Sequence, residues 1–149
     1  MTDARWLDDE EQHAWRSFLR AASAIDEALD RQLQRDAGMP HAYYQVLAML
    51  SEAPDRTLRM SQLAEQTTSS ASRLSHAVAR LEEKGWVRRD QHPTDRRGSL
   101  AVLTDDGWEA LRAAAPGHVA AVRQVLFDRL APGQVAELRA ITDRLTEQR

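Results

Sequence analysis

The residues of this chain best suited to chemistry are arginines, serines and a histidine at helical spacing between Ser69 and Arg80. Projected at about 100° per residue, Ser69, Ser72, Arg73, His76 and Arg80 gather on one side of a helix. Ala71, Leu74, Val78 and Leu81 gather on the other, and Ser70 and Ser75 add two more hydroxyls to the segment. The polar side carries no acid before Glu83. Arginine can hold guanine through two parallel hydrogen bonds, serine bonds to bases or phosphates, and small residues let the backbone approach base edges. A solvated face is the bland reading of such a helix taken alone. The neighbouring segments favour nucleic acid, because eight residues past Glu83 begins a polar loop, Gln91-His92-Pro93-Thr94-Asp95-Arg96-Arg97-Gly98, that places two more arginines at a narrow tip. Arg96 and Arg97 there suit the minor groove, where negative potential is strongest. Asp95 suits a different role, accepting hydrogen bonds that stiffen the loop.

Other chemistries are poorly served. Ser72 and His76 lie one turn apart without an orienting acid, so no nucleophilic site is expected. Glu82-Glu83 reads as a solvated helix end, and there is no glycine loop to cradle a phosphate. The five histidines, His13, His41, His76, His92 and His118, lack paired spacing, and cysteine is absent. No metal, no cofactor and no thiol redox sensing are expected. The chain is read as a non-enzyme. Its net charge of −3 is distributed unevenly. Nine Lys or Arg (Arg56, Arg59, Arg73, Arg80, Lys84, Arg88, Arg89, Arg96, Arg97) face five acids between Arg56 and Arg97, a local +4 that leaves −7 elsewhere. A basic centre in an acidic frame fits one lobe meeting DNA.

The elements that must position these residues are legible from periodicity. Asp8 with Glu11 forms a capping-box pattern, after which Trp15, Phe18, Leu19, Ala22, Ile25, Leu29 and Leu33 recur at steps of three and four, with Gly38 as a stop. A second helix follows, marked by Tyr44, Leu47 and Leu50 and broken at Pro54-Asp55. Leu58 to Met60 suits a short strand, and a brief third helix carries Leu63 and Ala64. Thr68 is placed to cap a fourth helix over about 69–84, stopped by Gly85. Trp86 to Arg89 and Leu100 to Leu103 flank the polar loop as a β-hairpin. Thr104 caps a fifth helix reaching about Asp128, with a kink expected at Pro116-Gly117. Pro132 suits the first turn of a sixth, striped by Val135, Leu138, Ile141 and Leu145. The 149 residues allow one domain or two small coupled lobes. No run approaches the ~20 apolar residues of a membrane span and no signal-peptide pattern opens the chain, so it is read as cytoplasmic.

The stretch Arg73-Leu74 through Arg80-Leu81-Glu82-Glu83-Lys84-Gly85-Trp86-Val87, continued by Asp95-Arg96-Arg97 and Leu103-Thr104-Asp105-Asp106-Gly107, resembles the multiple-antibiotic-resistance regulator (MarR) family. The spacing Asp-x-Arg, five residues, then Leu-Thr is a strong family signal, and the resemblance covers nearly the whole chain. It implies a mainly α fold with a small β-hairpin wing, the winged helix-turn-helix, in a triangular homodimer. The first, fifth and sixth helices would intertwine between protomers and two winged lobes would straddle a palindrome. By position, Asp95 and Arg97 fall on the family's wing motif, and Ser69 to Arg80 on its recognition helix. One departure is Ala131, where a serine or threonine cap often precedes the proline.

The apolar stripes of the terminal helices argue for a dimer without the resemblance, since helices unable to bury a stripe in a small monomer bury it against a partner. The division expected is a helical dimerisation region over 1–38 with 104–149, and a winged DNA-binding lobe over 39–103. A small-molecule pocket is expected where the two meet, from Trp15, Phe18, His41, Tyr44, Trp108 and Leu111, although all six also suit a core. The resemblance implies an effector, a small aromatic acid being the class expected. The expected whole is a regulator, read as a repressor, that binds double-stranded operator DNA as a homodimer. The contrasting expectation is a winged-helix module that binds protein instead.

Overall fold

Periodic apolar spacing, capped ends and glycine stops divide the chain much as the sequence implies. The computed structural model describes residues 4–147. Helix α1 spans Asp9–Ala37 and opens on a reciprocal capping box. The Glu11 amide donates to Asp8 Oδ1 at 2.8 Å, and the Asp8 amide donates to Glu11 Oε2 at 3.0 Å. Gly38 ends it at φ 63°, a left-handed geometry that glycine adopts without side-chain strain. Helix α2 (His41–Glu52), a 3₁₀ turn (Pro54–Arg56), strand β1 (Thr57–Arg59) and helix α3 (Met60–Gln66) follow. Then come α4 (Ala71–Glu83), strands β2 (Val87–Gln91) and β3 (Ser99–Leu103), α5 (Asp105–Val125), a second 3₁₀ turn (Phe127–Arg129) and α6 (Gln134–Thr146).

The strands form an antiparallel sheet in the order β1-β3-β2. Thr57 lies opposite Val102 and Arg59 opposite Leu100, while Val87 pairs with Leu103 and Gln91 with Ser99. The hairpin expected from sequence is therefore the β2–β3 part of a three-stranded sheet.

Two units emerge: residues up to Leu29 with those from Ala120 onward, and Asp30–Val119. The division falls inside α1 and α5 rather than at their ends. The second unit holds the core, where Leu33, Met39, Leu47, Leu50, Leu63, Leu74, Val78, Leu81, Ala101 and Leu103 are buried. Each of the leucine, valine and methionine side chains contributes roughly 1.5–3 kcal/mol of transfer free energy, offset by the chain entropy that folding costs. In the first unit the α6 residues Val135, Ile141 and Leu145 are exposed, as are Trp15, Phe18 and Leu19 of α1. No helix among the described residues is long and apolar enough to cross a membrane.

Several boundaries differ from the sequence reading. Helix α5 continues through Pro116 and ends at Val125 rather than near Asp128. Helix α6 begins at Gln134, after Gly133 at φ 88°, so Pro132 precedes it instead of opening it. The cap missing at Ala131 is replaced from the other side, since the Ala131 amide donates to Gln134 Oε1 at 2.7 Å.

Candidate nucleic-acid interface

The turn between α3 and α4 sets the angle at which the polar face is presented. Thr67 is buried, and its hydroxyl donates to the Leu63 carbonyl at 2.7 Å. Thr68 takes a left-handed φ of 51°, and the Ser69 amide bonds back to the Ala64 carbonyl at 3.1 Å. Thr68 is thus the corner of the turn, not the cap. Ser70 caps α4, its hydroxyl accepting the Arg73 amide at 3.2 Å. The helix starts at Ala71, two residues later than expected, and Ser69 and Ser70 lie ahead of it.

On α4 the buried side is Leu74, Ala77, Val78 and Leu81; Ala71, expected there, is exposed, and Ala77 takes its place. Ser72, Arg73, His76 and Arg80 are exposed together on the opposite side. Ser75 is not among them. It is half-buried, and both its carbonyl and its hydroxyl accept from Arg89 Nη2 of β2, at 2.8 and 3.2 Å. Arg89 Nε also lies 3.0 Å from Glu82 Oε1, close enough for charge pairing although its N–H is not aligned on that oxygen. These contacts lock the wing's first strand to the helix.

The basic residues divide sharply by what they already touch. Arg56 pairs with Asp105 at 3.2 Å and lies over the Trp108 ring. Arg59 faces Asp95 and His92, Arg80 pairs with Glu83, and Arg88 with Asp90. The Lys84 ammonium sits over Trp86. Among the described residues, the side chains of Arg73, Arg96 and Arg97 alone of the nine have no partner within the chain. All three are exposed, one on α4 and two at the hairpin tip. A guanidinium left without an internal partner keeps its whole donor fork for an external acceptor.

The hairpin tip is tightly tied. Asp95 Oδ1 accepts the Arg97 amide at 3.0 Å, the Gly98 amide donates to the Asp95 carbonyl at 3.0 Å, and the His92 amide to the Gly98 carbonyl at 3.0 Å. At the hairpin's base, Thr104 joins it to α5. Its hydroxyl donates to the Gly85 carbonyl at 2.6 Å and accepts the Gly107 amide at 3.0 Å. A Cβ at Gly107 would run into the Trp86 carbonyl, which explains the glycine there.

The six residues expected to line a small-molecule pocket are dispersed between the units. Trp15 and Phe18 belong to the first, stacked on each other at 6.5 Å and each about 51% exposed. In the second unit, Tyr44 and His41 meet the buried His118 ring, at 4.1 and 5.4 Å between centroids. Burial lowers the His118 pKa and the neighbouring His41 charge lowers it further. Its Nδ1 lies 3.3 Å from Gln32 Oε1, and Gln32 Nε2 donates to Asp36 Oδ2 at 3.1 Å. That last bond orients the amide, so His118 Nδ1 carries the proton. Sequence reasoning missed His118 and Gln32; the one available signal was the four-residue spacing of Gln32 and Asp36 on α1. Trp108 and Leu111 line a separate cavity of about 170 Å³ with Ser51, Arg112 and Ala115.

A short helix, a tight turn and a second helix bare on its outer side, followed by an arginine-tipped two-stranded loop, define a winged helix-turn-helix DNA-binding protein. Comparison with known proteins makes the class specific: the sequence profile of the MarR family matches residues 37–98. The chain is 56% identical to Sco3205, a MarR family transcriptional regulator from Streptomyces coelicolor solved in complex with DNA. That similarity covers 99% of this chain and 92% of the other, at a TM-score of 0.92. It is 42% identical to AbsC, a MarR family transcriptional regulator from the same organism, over 97% of each chain at a TM-score of 0.88. It is also 27% identical to the transcriptional repressor MprA of Escherichia coli (strain K12), over 72% of this chain and 61% of MprA. The chain belongs to the MarR family of transcriptional regulators, and is not an enzyme.

Proposed function

We propose that this regulator is a repressor that binds a palindromic operator as a homodimer and is released by a small effector. The observation that carries the DNA part is the selective freedom of Arg73, Arg96 and Arg97 in a lobe whose other six cations are engaged internally. In this reading Arg73, with Ser72 and His76 beside it, reads base edges in the major groove, and Arg96 and Arg97 enter the minor groove. Arg80 joins them by releasing Glu83, since an exposed pair at 3.1 Å holds it only weakly. Ser69 and Ser70 stand at the positive end of α4, where phosphate is favoured, while Ser75 supports the face from behind. Asp95 stabilises the wing.

Dimerisation is supported by the apolar side chains left in water in the first unit, Trp15, Phe18, Ile141 and Leu145 among them. Repression is supported by the relation to MprA, and duplex binding by the relation to Sco3205. For the effector, the His41–Tyr44–His118 rings and the cavity beside Trp108 and Leu111 offer aromatic walls and polar handles suited to a small aromatic acid, with Trp15 and Phe18 as further candidates. Such a ligand releases DNA only by binding the non-DNA-binding arrangement more tightly.

Selection of duplexes from a random pool by the purified protein tests the reading. Two inverted half-sites about 10 base pairs apart are expected, and aromatic acids at millimolar concentration should lower retention of the selected duplex. Enrichment of a lone half-site would overturn the dimer. No enrichment at all would overturn operator recognition.

A further inference from the structure

Behind the outward arginines of the wing lies a layer of side chains that face inward. We propose that Arg59 of β1 is a positioning residue for DNA reading: it grips the wing tip through His92 and Asp95 and so fixes where Arg97 projects. This rests on the wing's DNA-reading role proposed above.

The sheet order explains how one side chain can do this. Arg59 sits on one edge strand, opposite Leu100 of β3, while His92 follows β2 on the other edge. Its guanidinium therefore spans the middle strand at the end where the tip leaves the sheet. Nη2 lies 2.8 Å from His92 Nε2, and Nη1 lies 3.6 Å from Asp95 Oδ2. On its far side the imidazole faces the tip backbone, with Nδ1 3.1 Å from the Asp95 amide and 3.3 Å from the Thr94 amide. A neutral imidazole offers a single acceptor nitrogen, so the ring takes either Arg59 or the loop amide as its donor at any moment. In both states it stands between them.

The grip continues to the reading residue. Asp95 turns one carboxylate oxygen toward Arg59 and accepts the Arg97 amide with the other. Gly98 closes the back of the tip, where an added Cβ would lie 3.0 Å from the His92 Cβ and 3.3 Å from Asp95 Oδ2. Arg59 thus connects to the Arg97 backbone through one carboxylate, while the Arg97 side chain stays unpartnered. The Arg59–Asp95 pair is half-exposed, and pairs of that kind add little to folding stability. Their leverage is on geometry at the tip.

A double-mutant cycle reads this directly, with the duplex that the parent protein selects from a random pool as the probe. Arg59→Met and Arg97→Ala should each weaken binding about tenfold, a difference of about 1.4 kcal/mol. The double variant should bind no more than about twofold worse than Arg97→Ala, because the residue that Arg59 positions is already gone. Combined with Arg73→Ala, by contrast, Arg59→Met should be additive, whereas a general loss of fold would be additive with Arg73→Ala and Arg97→Ala alike. Arg59→Lys should recover part of the loss by keeping a charge opposite Asp95. If Arg59→Met melts early, His92→Ala runs through the same cycle with the same expected pattern. A roughly hundredfold loss in the Arg59/Arg97 double variant would show that Arg59 contacts DNA on its own account, and would overturn the proposal. So would an Arg59→Met protein that binds like the parent while Arg97→Ala does not. If Arg97→Ala itself binds like the parent, the wing's role in DNA reading falls, and the proposal with it.

Discussion

At the scale of single residues, charge alone misleads and partnership decides. Arg73 and Arg88 are both exposed arginines of the basic lobe, yet Arg88 donates to Asp90 from two nitrogens, at 2.9 and 3.1 Å. That bond lowers the Asp90 pKa and raises that of Arg88, the sign of a pair content with itself. Arg73→Ala should therefore cost about 1–3 kcal/mol of operator affinity and relax preference at one position per half-site. Arg88→Ala should stay within about 0.5 kcal/mol. Fluorescence anisotropy with selected and scrambled duplexes separates the two, and equal losses would misplace the DNA face. His118 governs a different property. Burial holds its folded pKa below the ordinary 6.5, so on acidification the unfolded chain takes up the proton first. Its contribution is fully present above about pH 6.5 and is lost as pH falls through the lowered folded value. Thermal melts from about pH 7.5 to about pH 5 should show stability falling, and falling less in His118→Gln, which has no proton to gain. Equal slopes would mean that His118 does not carry the dependence.

At the scale of elements, recognition depends on where α4 begins and on how the hairpin is fastened to its neighbours. Ser70 holds the Arg73 amide at 3.2 Å, so the cap fixes the backbone of the residue assigned to base reading. Ser70→Ala should cost about 1 kcal/mol of stability by chemical denaturation. Thr68→Ala should cost less, since Thr68 is the corner of the turn. The reverse order would restore Thr68 as the cap. The Leu103-Thr104 pair has a comparable explanation: Leu103 is buried, and Thr104 latches the turn after α4 to the first turn of α5. Gly107→Ala would push a methyl against the Trp86 carbonyl and the Leu103 side chain, and should cost about 3 kcal/mol.

At the scale of the molecule, the proposed reading has α4 and the wing supply one half-site and leaves it to the remaining helices whether two are read together. Ile141 is 60% and Leu145 66% exposed on α6, surface that water tolerates poorly in such number. Ile141→Asp should shift the protein toward monomer in sedimentation and weaken operator binding without altering the winged lobe. With both lobes docked and about three to five phosphates neutralised by each, log affinity should fall with log salt at a slope of roughly −5 to −9. A nearly flat response would contradict two-lobe docking.

By itself the sequence determined the order of elements, the apolar side of α4 and the arginine-tipped loop. These are local matters, set by periodicity, by Gly38 and Gly85 in left-handed geometry, and by a capping box within four residues of chain. It could also place Arg73, Arg96 and Arg97 on exposed positions, because a helix wheel and a hairpin tip need only local spacing. The tertiary structure alone decided which of nine cations were already engaged. For three of the six engaged ones it depends on contacts between elements far apart in sequence: Arg56 with Asp105, Arg59 with His92, Arg89 with Ser75. The buried link of Gln32 to His118 spans 86 positions, and no periodicity within either helix announces it. Partners such as Glu83 for Arg80 lie within one element, where spacing allows them, but partners from elsewhere in the chain are fixed by where the chain folds back on itself, and spacing along one element carries no information about those.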